Sequence, residues 1–290
     1  ARNSATLTVT PKEVTVTADD KSKKYGDKDP ELTASVNGPL NGDTVKYQLS
    51  RESGEDVGKY DITPSGKEDQ GNYTVKYAAG KLEITKSDNL NVTAKGYTGI
   101  YDGTSHGASA VAKVGDNPAP DGTTIYYKTG DGNWTTEAPS IKNAGEKTFQ
   151  VKAVNSNYED AVDEGVLKVE KRNVTLTSES GTKKFDGEPL TKPEVKVAGD
   201  GFVPGELDYK KATGSITKVG GPVDNKIEYK LKDGFKSDNY EVTLKTGTLT
   251  ITKIPASDLT VEVKANDNEW TYDGQSHSDN GFKVEKGLDK

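Results

Sequence analysis

The sequence predicts an all-β protein built from tandem modules, and three observations lead to this fold class. A closing phrase recurs at residues 80–86, 165–171 and 247–253. An Asn-Tyr pair precedes each copy of the phrase with the same spacing. Between these landmarks lie short runs of alternating apolar and polar residues, separated by Asn-Gly and Asp-Gly pairs such as Asn41-Gly42, Asp131-Gly132 and Asp186-Gly187. These pairs tolerate the left-handed backbone that tight turns need. Self-similarity at a fixed period indicates copies of one structural module.

The landmarks divide the chain into repeats of two alternating kinds. The Asn-Tyr pairs are Asn72-Tyr73, Asn157-Tyr158 and Asn239-Tyr240, and an earlier aromatic turn motif occurs at Tyr25-Gly26-Asp27, Tyr101-Asp102-Gly103, Phe185-Asp186-Gly187 and Tyr272-Asp273-Gly274. The first and third turn motifs follow a Lys-Lys pair, whereas the second and fourth continue to a Ser-His pair. The predicted division is a closing strand of a preceding repeat at 1–11, repeat 1 (type A) at 12–87, repeat 2 (type B) at 88–171, repeat 3 (type A) at 172–253 and the start of repeat 4 (type B) at 254–290.

Strand patterns dominate each repeat. Alternation with a period of two, rich in Val, Ile, Thr and Tyr, is typical of strands with one face on a core. The clearest examples are 14–17, 46–49, 73–77, 147–151 and 240–244. About six or seven strands fit in each repeat, which favours an immunoglobulin-like antiparallel β-sandwich. A β-grasp module with one helical turn near 30–35 is the alternative. Short links between repeats predict an elongated rod.

Composition excludes several classes of protein. The net charge is −7 with acidic and basic residues interspersed, so no basic stripe is available to bind nucleic acid. No apolar run approaches the length of a membrane span. Cysteine is absent, which excludes disulfides and thiolate metal sites. The repeats must therefore be stabilised by packing alone. The absence of Met, including an initiator, suggests that the chain is cut from a longer one.

Repeat 1 carries a set of turn and strand motifs that resembles a known family. These motifs are Tyr25-Gly26-Asp27, Asp29-Pro30, Gly42-Asp43-Thr44, Arg51, Gly54-Glu55, Val57-Gly58-Lys59-Tyr60 and Asn72-Tyr73. They resemble the MBG-type repeats (YDG and YGX variants) of bacterial cell-surface adhesins, and repeats 2 and 3 keep only parts of the pattern. The resemblance implies an extracellular protein, secreted or attached to the bacterial cell wall. It brings no catalytic or binding residue with it.

Few residues are candidates for chemistry. The only histidines, His106 and His277, occupy the same position in the type B motif, where a repeated turn residue is a simpler interpretation than a metal ligand. Acidic segments at 19–20, 27–31 and 266–269 offer oxygen ligands for calcium at the junctions between modules, without following an EF-hand loop. No catalytic triad can be assembled. The chain is therefore predicted to be a non-enzyme without a cofactor or metal, with calcium as the one ion to test.

Trp134 is the candidate for glycan binding, because an exposed aromatic ring at a hairpin turn can stack on a sugar. Trp270 lies at a position that is not equivalent, which favours packing over a shared glycan platform. The leading hypothesis is a non-enzymatic stalk that projects the distal binding domain of a bacterial surface adhesin, with neighbouring repeats as its contacts. Alternatively, the repeats themselves bind a host glycan, mucin or surface protein. A weaker alternative is an accessory region of a secreted polysaccharide-degrading enzyme.

Overall fold

In the computed structural model, which describes residues 5–286, the chain is folded as β-strands with two single-turn 3₁₀ helices at Ser237–Asn239 and Ala256–Asp258. It divides into two compact units. The first contains residues up to 98, residues 106–141 and residues 146–168. The second contains residues 99–105, residues 142–145 and the residues from 169 onward. The predicted all-β sandwich fold is confirmed.

The strands of the first part of the chain follow one another closely. They are β1 (Lys12–Ala18), β2 (Lys21–Lys24), β3 (Ala34–Asn37), β4 (Gln48–Arg51), β5 (Gly58–Ser65), β6 (Tyr73–Ala78), β7 (Gly80–Thr85), β8 (Leu90–Lys95), β9 (Tyr97–Ile100), β10 (His106–Gly107), β11 (Ser109–Val114), β12 (Asn117–Pro118), β13 (Thr124–Lys128), β14 (Ser140–Ile141), β15 (Gly145–Val154) and β16 (Ala161–Glu170). Repeat 1, as predicted, has seven of them, β1 to β7.

Repeat 1 forms two sheets, with strand orders β3-β1-β6 and β2-β7-β5-β4. The sheets are mixed and not wholly antiparallel as the sequence suggested, because β1 pairs in parallel with β6 and β2 in parallel with β7. These parallel pairs place the first strands of the module beside its last ones in both sheets. In the next repeat the sheets are β12-β11-β8, β13-β15-β16-β9 and the small pair β10-β14.

The strands of the second part of the chain repeat the pattern of repeat 1. They are β17 (Arg172–Ser178), β18 (Gly181–Lys184), β19 (Leu190–Thr191), β20 (Val195–Gly199), β21 (Leu207–Ala212), β22 (Ser215–Ile216), β23 (Gly220–Asn225), β24 (Ile227–Leu231), β25 (Tyr240–Lys245), β26 (Gly247–Thr252), β27 (Glu262–Ala265) and β28 (Phe282–Lys286). The sheet orders are β20-β17-β25, β18-β26-β23, β19-β22, β21-β24 and β27-β28. As in repeat 1, the β17–β25 and β18–β26 pairs are parallel.

Alternating residues build the cores, as the period of two predicts. In repeat 1, Val14 and Val16 of β1 are buried beside Val75 of β6, whereas Leu82 and Ile84 of β7 are buried in a second cluster. The core of the following repeat is centred on Phe149, Val151 and Leu167, and that of the third includes Leu190, Leu249 and Ile251. Each repeat therefore buries apolar side chains of its own, in keeping with module-sized cores.

The three closing phrases lie in strands β7, β16 and β26. Each contains a glycine at a position where a side chain would clash with a neighbouring residue. A Cβ atom at Gly80 would lie 2.4 Å from the carbonyl oxygen of Ala18, and one at Gly247 would lie 2.5 Å from the backbone of Glu179. At Gly165 a Cβ atom would lie 2.4 Å from the ring of Phe149. The closing strand can approach its neighbours this closely only where the side chain is absent.

Two expectations about local structure need correction. The helical turn required by the β-grasp alternative is not formed, because 30–33 have no regular structure and β3 begins at Ala34. Residues 5–11 have no regular structure, and Leu7 and Val9 are 92% and 86% exposed, while the assignment of 1–11 to the closing strand of a preceding repeat stays a prediction. At the Asp131-Gly132 turn the left-handed residue is Gly130, with φ of 51°. The division into repeats stays a prediction.

Candidate functional site

The repeated sequence landmarks meet one another at two places in the structure. In the first unit, Tyr25 contacts Tyr158, which belongs to the Asn-Tyr pair one repeat later. In the second unit, Tyr101 contacts Tyr240 in the same relation. We call these places the Tyr25 junction and the Tyr101 junction. Each is a contact between motifs of consecutive predicted repeats, which makes them the candidate functional sites of the chain.

Both junctions contain an edge-to-face pair of tyrosine rings. The ring centroids of Tyr25 and Tyr158 are 5.3 Å apart with an interplanar angle of 71°. Those of Tyr101 and Tyr240 are 5.7 Å apart with an angle of 83°. In this geometry the positive edge of one ring faces the negative face of the other, which contributes about 0.5–1.5 kcal/mol beyond the burial of the rings.

The asparagine beside Tyr158 adds two hydrogen bonds to the Tyr25 junction. The backbone N–H of Val57 donates to Oδ1 of Asn157 at 3.0 Å, and Nδ2 of Asn157 donates to Oδ1 of Asp56 at 2.8 Å. The carbonyl oxygen and the NH₂ group of the Asn157 side chain are therefore both hydrogen-bonded. A backbone hydrogen bond adds to these contacts, because the Ser87 N–H donates to the carbonyl oxygen of Asn157 at 3.0 Å.

The Tyr101 junction repeats this arrangement residue by residue. The backbone N–H of Ala144 donates to Oδ1 of Asn239 at 2.8 Å, and Nδ2 of Asn239 donates to Oδ1 of Asn143 at 3.1 Å. The Asn239 side chain is buried. In both repeats the contacted pair immediately precedes a glycine, Gly58 or Gly145. At both junctions, the side-chain amide of the Asn-Tyr pair thus binds the corresponding loop of the preceding repeat.

In repeat 1 a cluster of charged residues holds the loop that carries Asp56 and Val57. Lys23 Nζ lies 2.7 Å from Asp29 and 2.6 Å from Glu55, and Arg51 pairs with both carboxylates. The Arg51 guanidinium also donates to the carbonyl oxygen of Gly54 at 2.7 Å. The hydrogen bonds from Arg51 and then Lys23 lower the pKa of the Asp29 carboxyl. These residues therefore position the loop that binds Asn157.

A buried carboxylate distinguishes the Tyr101 junction from the other. Glu206, which is 2% exposed, accepts a hydrogen bond from the Tyr101 hydroxyl at 2.8 Å and one from the Tyr240 hydroxyl at 2.7 Å. The Val203 N–H donates to the Tyr240 hydroxyl at 3.1 Å. Burial, and next the bond to Glu206, raise the pKa of Tyr101 to about 12. The same two causes raise the pKa of Tyr240.

The Tyr25 junction is held by its rings without such a carboxylate. Between residues 5 and 286, neither the Tyr25 nor the Tyr158 hydroxyl has a hydrogen bond to an acid. The turn motifs agree with this difference: the type A motifs have Tyr25 and Phe185, whereas both type B motifs have a tyrosine, Tyr101 and Tyr272. At the Tyr101 junction, where a type B turn motif contacts a type A repeat, the tyrosine hydroxyl donates a hydrogen bond to Glu206.

The family model of the MBG domain, YGX type, matches residues 14–83. Residues 14–83 are therefore similar to an MBG domain of this type. This confirms the resemblance predicted from the motifs of repeat 1. The landmarks Tyr25 and Tyr73 both lie within the matched range, and so does the loop that binds Asn157. A comparison with curated proteins returned no match.

Several solved structures of multi-domain fragments are similar over most of the chain, at low identity. An I-band fragment of titin, I67–I69, is 10% identical and covers 82% of this chain and 97% of its own, with a TM-score of 0.28. Mouse cadherin-23 EC22–24 is 11% identical, covering 83% and 99%, with a TM-score of 0.29. Sidekick-1 immunoglobulin domains 1–4 are 13% identical, covering 81% and 74%, with a TM-score of 0.26.

Trp134 lies outside the matched range 14–83, on the predicted repeat that follows. Its ring is partly buried, and the ammonium groups of Lys152 and Lys128 are 5.0 Å and 5.9 Å from the ring centroid. A cleft of about 450 Å³ beside it is lined by Gln150, Val162 and neighbouring residues. The role of Trp134 in glycan stacking stays a prediction, and a sugar would have to share the ring with the two lysines.

The two histidines share a structural role that the sequence did not reveal. His106 stacks on Tyr97 with centroids 3.7 Å apart, and His277 stacks on Trp270 with centroids 5.2 Å apart. His277 Nε2 also lies 2.8 Å from Asp273. No cluster of metal-ligating side chains occurs in the part of the chain that the structure describes. The repeated histidine is thus a repeated stacking residue.

The acidic segments named as calcium candidates have protein partners. Asp19 accepts hydrogen bonds from the hydroxyls of Thr33 and Ser35, and the hydrogen bond from Thr33 is the main cause of its lowered pKa. Asp20 accepts from the Lys81 N–H at 2.7 Å. Calcium at the junctions stays a prediction. Over residues 5–286, the structure contains no helix of the length and apolar character needed to cross a membrane.

Proposed function

We propose that the chain is a non-enzymatic, extracellular tandem-repeat stalk of a bacterial surface adhesin, which spaces a distal binding domain. The observation that carries this proposal is the repeated junction: Asn157 and Asn239 make the same pair of hydrogen bonds to the preceding repeat. A stalk must transmit position from one repeat to the next. The similarity of residues 14–83 to an MBG domain supports the same class of protein, and the neighbouring repeats are its partners.

The strength of each junction follows from its parts. An edge-to-face aromatic pair contributes about 0.5–1.5 kcal/mol, and each neutral hydrogen bond contributes about 1 kcal/mol. One ring pair and two amide hydrogen bonds therefore stabilise a junction by about 2.5–3.5 kcal/mol. At that value an open junction is populated at roughly 1% or less. Short links between the repeats reduce the freedom of the open state further.

Small-angle X-ray scattering of the intact chain and of an Asn157→Ala, Asn239→Ala double variant tests the proposal. We expect a maximum dimension above about 100 Å for the intact chain, from strand lengths and short links. The variant should give a broader distance distribution, because its junctions open more often. An Asn72→Ala variant is the matched control, since Asn72 is exposed. A compact particle, or one extended only by calcium and reversed by chelator, would contradict the plain stalk.

Glycan binding by the repeats themselves is the second candidate, supported by the cleft beside Trp134. The cleft carries both signs of charge, since the Lys128 and Lys152 ammonium groups lie near the ring and Asp163 and Glu164 line the cleft, so a neutral sugar fits it better than an acidic one. A glycan array probed with the intact chain and with Trp134→Ala tests it. Binding that is lost in Trp134→Ala and kept in a Trp270→Ala control would establish this site, whereas equal binding by all three proteins would exclude it.

A further inference from the structure

The first and last strands of repeat 1 form two long segments of chain that run side by side in the same direction. β1 is followed closely by β2, and β6 is followed by β7 with Ala79 between them. β1 pairs in parallel with β6, and β2 pairs in parallel with β7. We call 12–24 the entry segment and 73–85 the exit segment, because the chain enters the module through one and leaves it through the other.

Hydrogen bonds join the two segments through both sheets. The ladders are interrupted where the segments change from one sheet to the other, and a side chain bridges this gap, since Oδ1 of Asp20 accepts from the Lys81 N–H at 2.7 Å. Just past the last ladder pair, the Tyr25 N–H donates to the carbonyl oxygen of Thr85 at 2.8 Å. The entry and exit segments are therefore bonded from end to end.

Repeat 3 contains the same pair of segments, with the entry segment at 172–184 and the exit segment at 240–252. β17 pairs in parallel with β25, and β18 with β26, in the same register as in repeat 1. A side chain again bridges the gap between the ladders, since the Thr248 N–H donates to the Ser180 hydroxyl oxygen at 3.0 Å. This pair occupies the positions of the bridging pair in repeat 1. The paired segments are thus a feature of both type A repeats.

Repeat 2, of type B, is built differently at its first strand. β8 lies at the edge of the sheet β12-β11-β8, where it pairs with β11 in antiparallel orientation. Ser87 and Tyr158, at the positions of Lys12 and Tyr73, form an isolated parallel bridge. Within 87–171, all of which the structure describes, no ladder continues from this bridge. One of the two ladders that join first and last strands in a type A repeat is therefore missing from this part of the chain.

Parallel pairing decides how a type A repeat responds to tension along the chain. The chain enters at the beginning of the entry segment and leaves at the end of the exit segment, and in a parallel pair these two points are at opposite ends. Tension therefore pulls the two segments in opposite directions along their common axis. Because this motion loads all the hydrogen bonds between the segments at once, the segments cannot separate bond by bond.

We propose that the paired entry and exit segments are a shear clamp, which keeps the type A repeats folded while the chain carries tension. The biological use of the clamp rests on the proposed stalk, since a spacer between two attached bodies transmits any pull between them. The rate of unfolding governs forced unfolding, so rupture of the clamp sets the force that a type A repeat withstands. Scattering tests the stalk and pulling tests the clamp, so each can fail without the other.

Optical tweezers that pull repeat 1 in two directions test the clamp. Because the chain has no cysteine, introduced cysteines give unique attachment points. Lys12→Cys with Lys86→Cys in the intact chain pulls the segments in shear. Lys12→Cys with Asn72→Cys pulls both segments at the same end, so their bonds break one after another. The repeat and its equilibrium stability are the same in both cases, and circular dichroism checks that each variant is folded. The force should be about twofold or more higher in shear. An equal force in the two directions, or a lower one in shear, overturns the proposal.

Two further pulling measurements locate the clamp. Asp20→Ala removes the bridging acceptor, so it should lower the shear force of repeat 1 and leave the force in the other direction unchanged, because there the bonds nearest Asn72 break first. Glu31→Ala, at an exposed carboxylate outside both segments, is the control and should change neither force. Pulled from its two ends, the intact chain should show one unfolding event at low force, from repeat 2, and then two at higher force. Asp20→Ala should lower one of those two. Equal forces for all three repeats, or an Asp20→Ala chain that withstands the same shear force as Glu31→Ala, would contradict the clamp.

Discussion

Replacing Tyr101 by Phe removes one hydroxyl from a buried carboxylate and leaves the aromatic ring in place. The lost bond joins the hydroxyl to Oε1 of Glu206 at 2.8 Å, with both residues buried. A hydrogen bond to a charged group contributes about 1.5–3 kcal/mol. The Tyr101 junction of Tyr101→Phe should therefore open about 10 to 150 times more often than that of the unaltered chain.

The matched substitution at the other junction is Tyr25→Phe. Tyr25 makes the same edge-to-face contact, with Tyr158, but its hydroxyl has no carboxylate partner between residues 5 and 286. Removing that hydroxyl should change the stability of the Tyr25 junction by less than about 0.5 kcal/mol. Comparing the two substitutions separates the effect of the carboxylate from the general effect of losing a hydroxyl.

Native-state amide hydrogen exchange measured by NMR reports on each junction separately. The Ala144 N–H is bonded to Asn239 at the Tyr101 junction, and the Val57 N–H is bonded to Asn157 at the Tyr25 junction. In Tyr101→Phe, exchange should accelerate at Ala144 and not at Val57. In Tyr25→Phe it should change little at either amide. Equal acceleration in the two variants, or none at Ala144 in Tyr101→Phe, would refute the role given to Glu206.

Three further predictions concern the junctions and the closing strands. The raised pKa of Tyr101, about 12 against an ordinary 10, favours the neutral hydroxyl in the folded state, so its contribution to stability is complete below pH 10 and is lost as the pH rises towards 12. The free energy of unfolding, measured in urea, should fall between pH 10 and pH 12, and it should fall less in Tyr101→Phe than in the unaltered chain. An equal fall in the two proteins would contradict this prediction. Asn239→Ala should lower the free energy of unfolding by about 2 kcal/mol, since two hydrogen bonds are lost, whereas Asn72→Ala should change it by less than about 0.5 kcal/mol. Gly247→Ala should destabilise by about 1–3 kcal/mol because its Cβ meets backbone, and Gly107→Ala, with 4.0 Å of clearance, is the thermal-unfolding control.

The sequence was most informative about strands and turns, where the rules are local. Alternation placed β1, β6 and β25 correctly, and the turns at Gly42 and Gly187 have the left-handed backbone that was expected. The parallel pairing of β1 with β6 was missed, because pairing across a module depends on contacts far apart in the chain.

The role of the landmarks could not be predicted by the same local reasoning. Tyr25 and Asn157 are far apart in the sequence, and each by itself resembles an ordinary turn or strand residue. One signal was available in retrospect: the two landmarks keep the same period in every repeat, as residues that contact each other across a repeat boundary must do. Glu206 gave no such signal, because its counterpart in repeat 1 is the shorter Asp43.

Nuclear Overhauser effects between tyrosine rings test most directly whether the landmarks join successive repeats. In the intact chain with labelled tyrosines, cross-peaks should connect Tyr25 with Tyr158 and Tyr101 with Tyr240, whose centroids are 5.3 Å and 5.7 Å apart. Their presence at both junctions is the result that the account predicts. If both cross-peaks are absent while the cross-peaks within each repeat remain, the repeats are folded without these junctions and the account is wrong.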